Sequence, residues 1–229
     1  MFKLKFIVAA AVALIGVEAQ ASIVFHSISD TQVINYNEAF GDANLSATVQ
    51  YTLTALGGPG SNTAAFHIVA TNNTTVGQPG TNRMTSFGIG DLTPSITSID
   101  FNSSVNWIAD FGGTFPGFNL VGLCVFVGPA CGGSSSGGLA EAGDSVTLDI
   151  AVHLSQRLTP AGIALESPFV IEFQDAGTNG ASVEFAGCAA SDASCQPQDI
   201  PEPGTLALVG IAMLGSIAAT RRPGCRTEH

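Results

Sequence analysis

Between residues 45 and 55 the chain alternates without a slip. Leu45, Ala47, Val49, Tyr51, Leu53 and Ala55 fall on one side, and Ser46, Thr48, Gln50, Thr52 and Thr54 on the other. A period of two held over so many residues fits an extended strand with one face buried, and no helix. Val146, Leu148, Ile150, Val152 and Leu154 repeat the pattern against Thr147, Asp149, Ala151 and His153. Phe169, Ile171 and Phe173 repeat it against Val170, Glu172 and Gln174. Shorter strand candidates lie at 23–28, 64–71, 85–89, 96–101, 120–127 and 181–185, broken by Gly- and Pro-rich stretches at 57–60, 72–80, 112–117 and 132–138. No segment between 22 and 199 has a 3.6-residue apolar stripe with a capping start and a glycine stop. The expectation is all-β: an antiparallel β-sandwich or jelly roll of roughly eight to ten strands, long enough for one hydrophobic core. A parallel β-helix, a solenoid or a propeller would need an internal repeat, and there is none.

Charge narrows the partners. The chain has 229 residues with 18 acids and 7 bases, and only 11% of it is charged, under half the ~25% of an ordinary globular domain. Its lysines are Lys3 and Lys5, and its arginines are Arg83, Arg157, Arg221, Arg222 and Arg226. Residues 22–200 therefore hold 15 acids against two bases, a net of −13. Such a segment repels phosphate backbones, which excludes a nucleic-acid binder. With 45% hydrophobic residues it is also too apolar to be disordered by charge.

The remaining bases flank two apolar runs. Residues 1–21 read as a secretory signal peptide: Lys3 and Lys5, an apolar run from 6 to 17, and a small-x-small site at Ala19, Gln20 and Ala21. Twelve apolar residues rise only ~18 Å as a helix, short of a ~30 Å hydrocarbon core, so cleavage fits better than anchorage. At the other end stand Pro201, Glu202 and Pro203, then Gly204 and Thr205, an apolar run over 206–219, and Arg221 with Arg222. That run spans ~21–24 Å, suited to a transient inner-membrane helix whose arginines stay cytoplasmic. The order of these residues over 200–229 resembles a PEP-CTERM sorting signal. The resemblance implies export in a Gram-negative, exopolysaccharide-making cell, cleavage by an exosortase, and display or release of the ectodomain, 22–199. Ice binding, a label sometimes attached to such tails, would want regular Thr-x-Thr rows, and the sequence offers only Thr52, Leu53, Thr54.

Four cysteines fall in the exported part. Six residues separate Cys124 from Cys131, and six separate Cys188 from Cys195. Export favours disulfides. Three connectivities are open, and two local loops, Cys124 with Cys131 and Cys188 with Cys195, is the expected one. A four-thiolate zinc site would want closer pairs. Cys225 lies beyond the apolar run and is expected to stay reduced. Cys124 and Cys131 with the Gly-rich loop behind them, Gly143, Asp144, Ser145, Val146, and Phe185, Gly187, Cys188 together are similar to the ectodomains of the cistern subgroup of PEP-CTERM proteins, for which the resemblance supplies no activity.

Catalytic signatures are weak. Gly133, Ser134, Ser135, Ser136, Gly137 matches G-x-S-x-G in letters, but it lacks the strand before and helix after that expose a nucleophile, so it reads as a loop. His67 and His153 fall on polar strand faces, and neither they nor His26 has triad context. Acidic pairs for glycoside hydrolysis cannot be singled out by spacing in a β fold. Trp107, within Asn106, Ile108, Ala109, Asp110 and Phe111, is either a core residue or a sugar-stacking platform; Tyr36 and Tyr51 are the other aromatic platforms. No cofactor is expected. Calcium is the one metal option, through Asp144 with Glu141 or Asp100 with Asn102, although the chain has no EF-hand loop. Asn44, Asn72, Asn73 and Asn102 head N-x-[ST] triplets of the kind that abundant Ser and Thr produce by chance. The reading is a non-enzymatic, exosortase-sorted surface or matrix protein; the alternatives are a secreted polysaccharide hydrolase and a calcium-dependent carbohydrate-binding module.

Overall fold

A computed structural model describes residues 22–58, 60–102 and 106–192. The expected signal peptide, Cys195, Pro201, Glu202, Pro203, the apolar run at 206–219, Arg221 and Arg222 lie outside them. Among the described residues there is no helix, and hence none long and apolar enough to cross a membrane.

The strands are β1 (Ser22–Phe25), β2 (Thr31–Phe40), β3 (Ala43–Leu56), β4 (Thr63–Asn72), β5 (Gly80–Thr93), β6 (Ile96–Asn102), β7 (Trp107–Asp110), β8 (Gly113–Thr114), β9 (Leu120–Val121), β10 (Leu123–Val127), β11 (Ser145–Leu154), β12 (Ile163–Ala176) and β13 (Ala181–Ala189). All pair antiparallel. The fold is an all-β antiparallel sandwich, and its two layers are one continuous sheet. The path runs β6-β11-β4-β3-β2-β13-β12-β5-β10-β7, with β1 alongside β12 and β8-β9 a separate ribbon. The end strands β6 and β7 approach each other without pairing, so the sheet nearly closes into a barrel.

One strand joins the layers. β13 pairs with β12 as far as Gly187, opposite Phe169, and then Cys188 and Ala189 pair with Asn35 and Ile34 of β2. β1 takes the place β13 leaves free beside the first half of β12, with Ser22 opposite Glu166.

The core follows from the alternation. Leu45, Ala47, Val49, Tyr51 and Leu53 of β3 are buried, as are Val146, Leu148, Ile150, Val152 and Leu154 of β11 and Phe169, Ile171 and Phe173 of β12. Each large apolar side chain so buried contributes about 1.5–3 kcal/mol of transfer free energy. Aromatic rings bridge the layers: Phe25 of β1 meets Phe66 of β4 edge-on at 5.3 Å between centroids, and Tyr36 of β2 meets Phe185 of β13 at 6.5 Å.

Two expectations change here. The β3 alternation stops at Leu53, because a bulge at Thr54 shifts the register so that Ala55 pairs with Ala65 and is exposed. An extra residue in one strand moves every later side chain to the other face. Strand β2 does not stand out in the sequence, because Ile34 and Tyr36 are its only fully buried apolar residues and its end, Asn37 to Phe40, is exposed.

Candidate functional site

The outer faces of the two layers differ. On β10, Leu123, Val125 and Val127 face the main core, while Cys124 and Phe126 face outward into a second, smaller core with Phe115, Val121, Cys131 and Val170. The β8-β9 ribbon and the loop after β10 supply this cover, and a disulfide between Cys124 and Cys131, with Cα atoms 5.9 Å apart, fastens it. Cys188 is also disulfide-bonded.

Beneath that cover is Glu172, which alternation sets on the face opposite Phe169, Ile171 and Phe173 and which is 1% exposed. Ser86 donates to its Oε2 at 3.1 Å, Ser182 donates to its Oε1 at 2.9 Å, and Gln174 donates to the same oxygen. Burial pushes the Glu172 carboxyl above its ordinary range, the nearby Glu184 adds to the rise, and the hydroxyl donors oppose it. The polar side of β12 is therefore roofed over, which period-two patterning alone does not reveal.

The outer face of the β6-β11-β4-β3-β2 layer is open. Thr31, Thr52, His67 and Asp149 stand in register across four adjacent strands. The Thr31 and Thr52 hydroxyls are 2.9 Å apart. His67 Nδ1 lies 2.8 Å from Asp149 Oδ1, and His153 Nε2 lies 2.9 Å from Asp100 Oδ2. A carboxylate only accepts, so each imidazole nitrogen donates. Both aspartate side chains are 77% exposed, so these pairs orient polar groups more than they stabilise the fold. Between them is a depression of about 450 Å³ over Ala65, Ala151 and Thr54, with Asp100 and Asp149 on its sides. Small residues on the floor and oriented imidazole and carboxylate groups on the rim make a surface that can hydrogen-bond a hydroxylated ligand.

The other candidate residues take structural parts. Trp107 is buried against Phe87, with 6.0 Å between ring centroids, and Tyr36 and Tyr51 are fully buried, so none of the three is a stacking platform. Burial pushes both phenols well above their ordinary range. Beside Trp107, Ile108 and Phe111 are the exposed apolar groups. Ser134 and Ser136 bond each other at 3.0 Å in the loop over the second core, with no helix following. Asp144 Oδ2 accepts from the backbone N–H groups of Ala140 at 3.1 Å and Glu141 at 2.9 Å, closing the turn into β11. Asp100 is engaged by His153, and Asn102 is paired with Asp149 along β6 and β11. His26 is exposed, and its backbone N–H donates to Asp30. Among the described residues no three His, Cys, Asp or Glu side chains converge as a metal-binding group.

Comparison with known proteins bears on the C-terminal segment. Residues 199–222 match the PEP-CTERM protein-sorting motif. The chain carries a PEP-CTERM sorting signal. The match takes in Pro201, Glu202 and Pro203, the apolar run, and Arg221 with Arg222. This motif marks proteins exported across the inner membrane and sorted to the envelope or extracellular space, and it implies processing by an exosortase. No curated protein and no solved structure matches the chain.

Proposed function

We propose that this PEP-CTERM protein is a non-catalytic component of the cell surface or extracellular matrix, with a structural or adhesive role among exopolysaccharide. The sorting motif at 199–222 carries the reading, because it addresses the chain to the compartment where such polymers lie. In this reading residues 1–21 are removed on export, residues 200–229 on sorting, and the β-sandwich ectodomain remains. Its open face supports a binding role: threonine hydroxyls, imidazoles and carboxylates with no lysine in the ectodomain, a composition suited to hydroxylated polymers. The same proposal assigns the ectodomain to the cistern subgroup, a reading supported by the likeness at Cys124 and Cys131 with the Gly-rich loop behind them, at Gly143, Asp144, Ser145 and Val146, and at Phe185, Gly187 and Cys188.

The test is retention of the full chain, purified in mild detergent, on a panel of neutral and acidic polysaccharides with and without EDTA. Metal-independent retention without chain shortening of the polymer is the expected result. Release of reducing ends would replace the reading with a hydrolase, and retention abolished by EDTA would replace it with a calcium-dependent carbohydrate-binding module.

A further inference from the structure

The ectodomain has two arginines, in contrasting settings. Arg157 is exposed in the connection from β11 to β12. Arg83, on β5, is half-buried, and its Nε is shut off from solvent with no hydrogen-bond partner. The ion pairs among the described residues are the two His–Asp pairs, and neither involves Arg83. A guanidinium donates through five N–H groups and accepts nothing, and with Nε enclosed and the residue only half-buried, it is the terminal N–H groups of Arg83 that can meet an acceptor from outside.

Arg83 lines a depression of about 450 Å³ at one end of the sandwich, between the β4-β5 loop and the turn at residues 140–142. Its walls are held in place by bonds that do not use Arg83. Asn72 Nδ2 donates to the carbonyls of Asn82 at 2.9 Å and Leu139 at 3.0 Å, and Asn72 Oδ1 accepts from the backbone N–H of Thr74 at 3.0 Å. Thr75, Gln78 and Thr81 add polar groups to the lining, and Val76 presents an aliphatic surface that is 84% exposed. Glu141 is the one acid of the lining and makes no ion pair with Arg83.

We propose that this depression binds a carboxylate-bearing sugar unit of an acidic polysaccharide, with Arg83 donating to the carboxylate. The inference rests on the matrix reading above and names the ligand class within it. The planar fork of arginine matches a carboxylate in two parallel hydrogen bonds, which an amine does not reproduce. The aliphatic and hydroxyl groups around it suit the mixed apolar and polar faces of a pyranose ring. Charge makes the inference sharp. An ectodomain of 15 acids against two bases repels a polyanion at long range, so retention of one requires a local site.

The experiment measures affinity of the full chain, in mild detergent, for polygalacturonate, for its methyl ester and for dextran. Wild type is expected to prefer polygalacturonate over both. Arg83→Gln is expected to weaken that binding about tenfold or more, the loss of a charge-assisted contact, while Arg157→Gln stays within about twofold. Melting curves accompany each variant. Should Arg83→Gln fail to fold, Arg83→Lys keeps the charge and removes the fork, and it is expected to fall between the two. Undiminished polygalacturonate binding in a folded Arg83 variant overturns the proposal. Equal wild-type binding to dextran and polygalacturonate overturns it while leaving matrix association standing, and no retention on any polymer removes both.

Discussion

Glu172 and Ser86 face each other in register across β12 and β5, and the serine hydroxyl donates to the buried carboxylate at 3.1 Å. The contact lies at a bulge: Glu172 pairs with Ser86 and Phe173 with Met84, so Thr85 is the extra residue. The bulge turns Met84 and Phe87 into the main core and leaves Ser86 aimed at the acid. A polar network is thereby sealed between the sheet and its disulfide-fastened cover.

That network sets a pH dependence. Burial raises the folded pKa of Glu172 above its ordinary 4.5. Between that value and the raised one, the folded protein holds a proton that the unfolded chain has released. Stability therefore falls as pH rises through this window and stays reduced above it. Glu172→Gln keeps the shape, with an amide that can donate to Ser86 while its oxygen accepts from Ser182. Urea midpoints from pH 4.5 upward are expected to decline for wild type and to stay flatter for the variant. An equal decline in both would show that the acid is not the source. Asp30 and Asp42 act oppositely at lower pH. Backbone N–H groups of Ser27 and His26, and the Thr178 hydroxyl, hold these carboxyls below their ordinary 3.8. The stability they supply is present above that value and is lost as pH falls through their lowered pKa values.

The Cys124–Cys131 disulfide closes a short loop on the outer face of the sheet. Loop-closure entropy for a ring of this size corresponds to about 2–3 kcal/mol. Replacing both cysteines by serine is expected to lower unfolding free energy by about that amount in denaturant titrations. Because the loop roofs Glu172, the double variant is also expected to reduce the pH slope described above. A variant with wild-type stability and slope would mean that the cover holds without its fastener.

Gly187 is the residue at which β13 changes layers. A Cβ there would lie 2.4 Å from the Tyr36 ring and 2.6 Å from the Asn35 carbonyl oxygen. Both neighbours belong to β2, and Tyr36 is fully buried, so neither yields easily. Gly187→Ala is expected to cost about 1–3 kcal/mol by overpacking. Gly58→Ala, with nothing within 4 Å of its added carbon, is expected to stay within about 0.5 kcal/mol of wild type. Matching chemical-denaturation curves for the two variants would contradict the crossing geometry.

Much of this fold can be read from the residues. Eleven-residue alternation announces β3, and the patterns of β11 and β12 announce their core faces, because a half-buried strand leaves a direct trace of its environment. What the pattern misses is whatever covers the other face. Glu172 looks solvated beside Phe173 because period two reports one buried side and is silent about a roof built from loop residues far along the chain. Trp107 stays open between core residue and stacking platform because aromatic identity does not distinguish the two, whereas alternation already sets Tyr51 on the face of Leu45 and Leu53. The Arg83 depression is invisible in sequence, because its walls come from two loops about sixty residues apart that only the crossing topology brings together. The sorting motif is the opposite case: it is a linear word, legible without any fold.

The shared strand also bears on how this domain takes a pull. Tension arriving from the C-terminal side through β13 reaches the Cys188 and Ala189 pairing with β2 before the longer ladder to β12. The β2 layer is thus loaded first, and the β12 layer takes up load through the same strand once that short pairing opens. For a protein delivered to a surface, the junction at Gly187 acts as a strain divider.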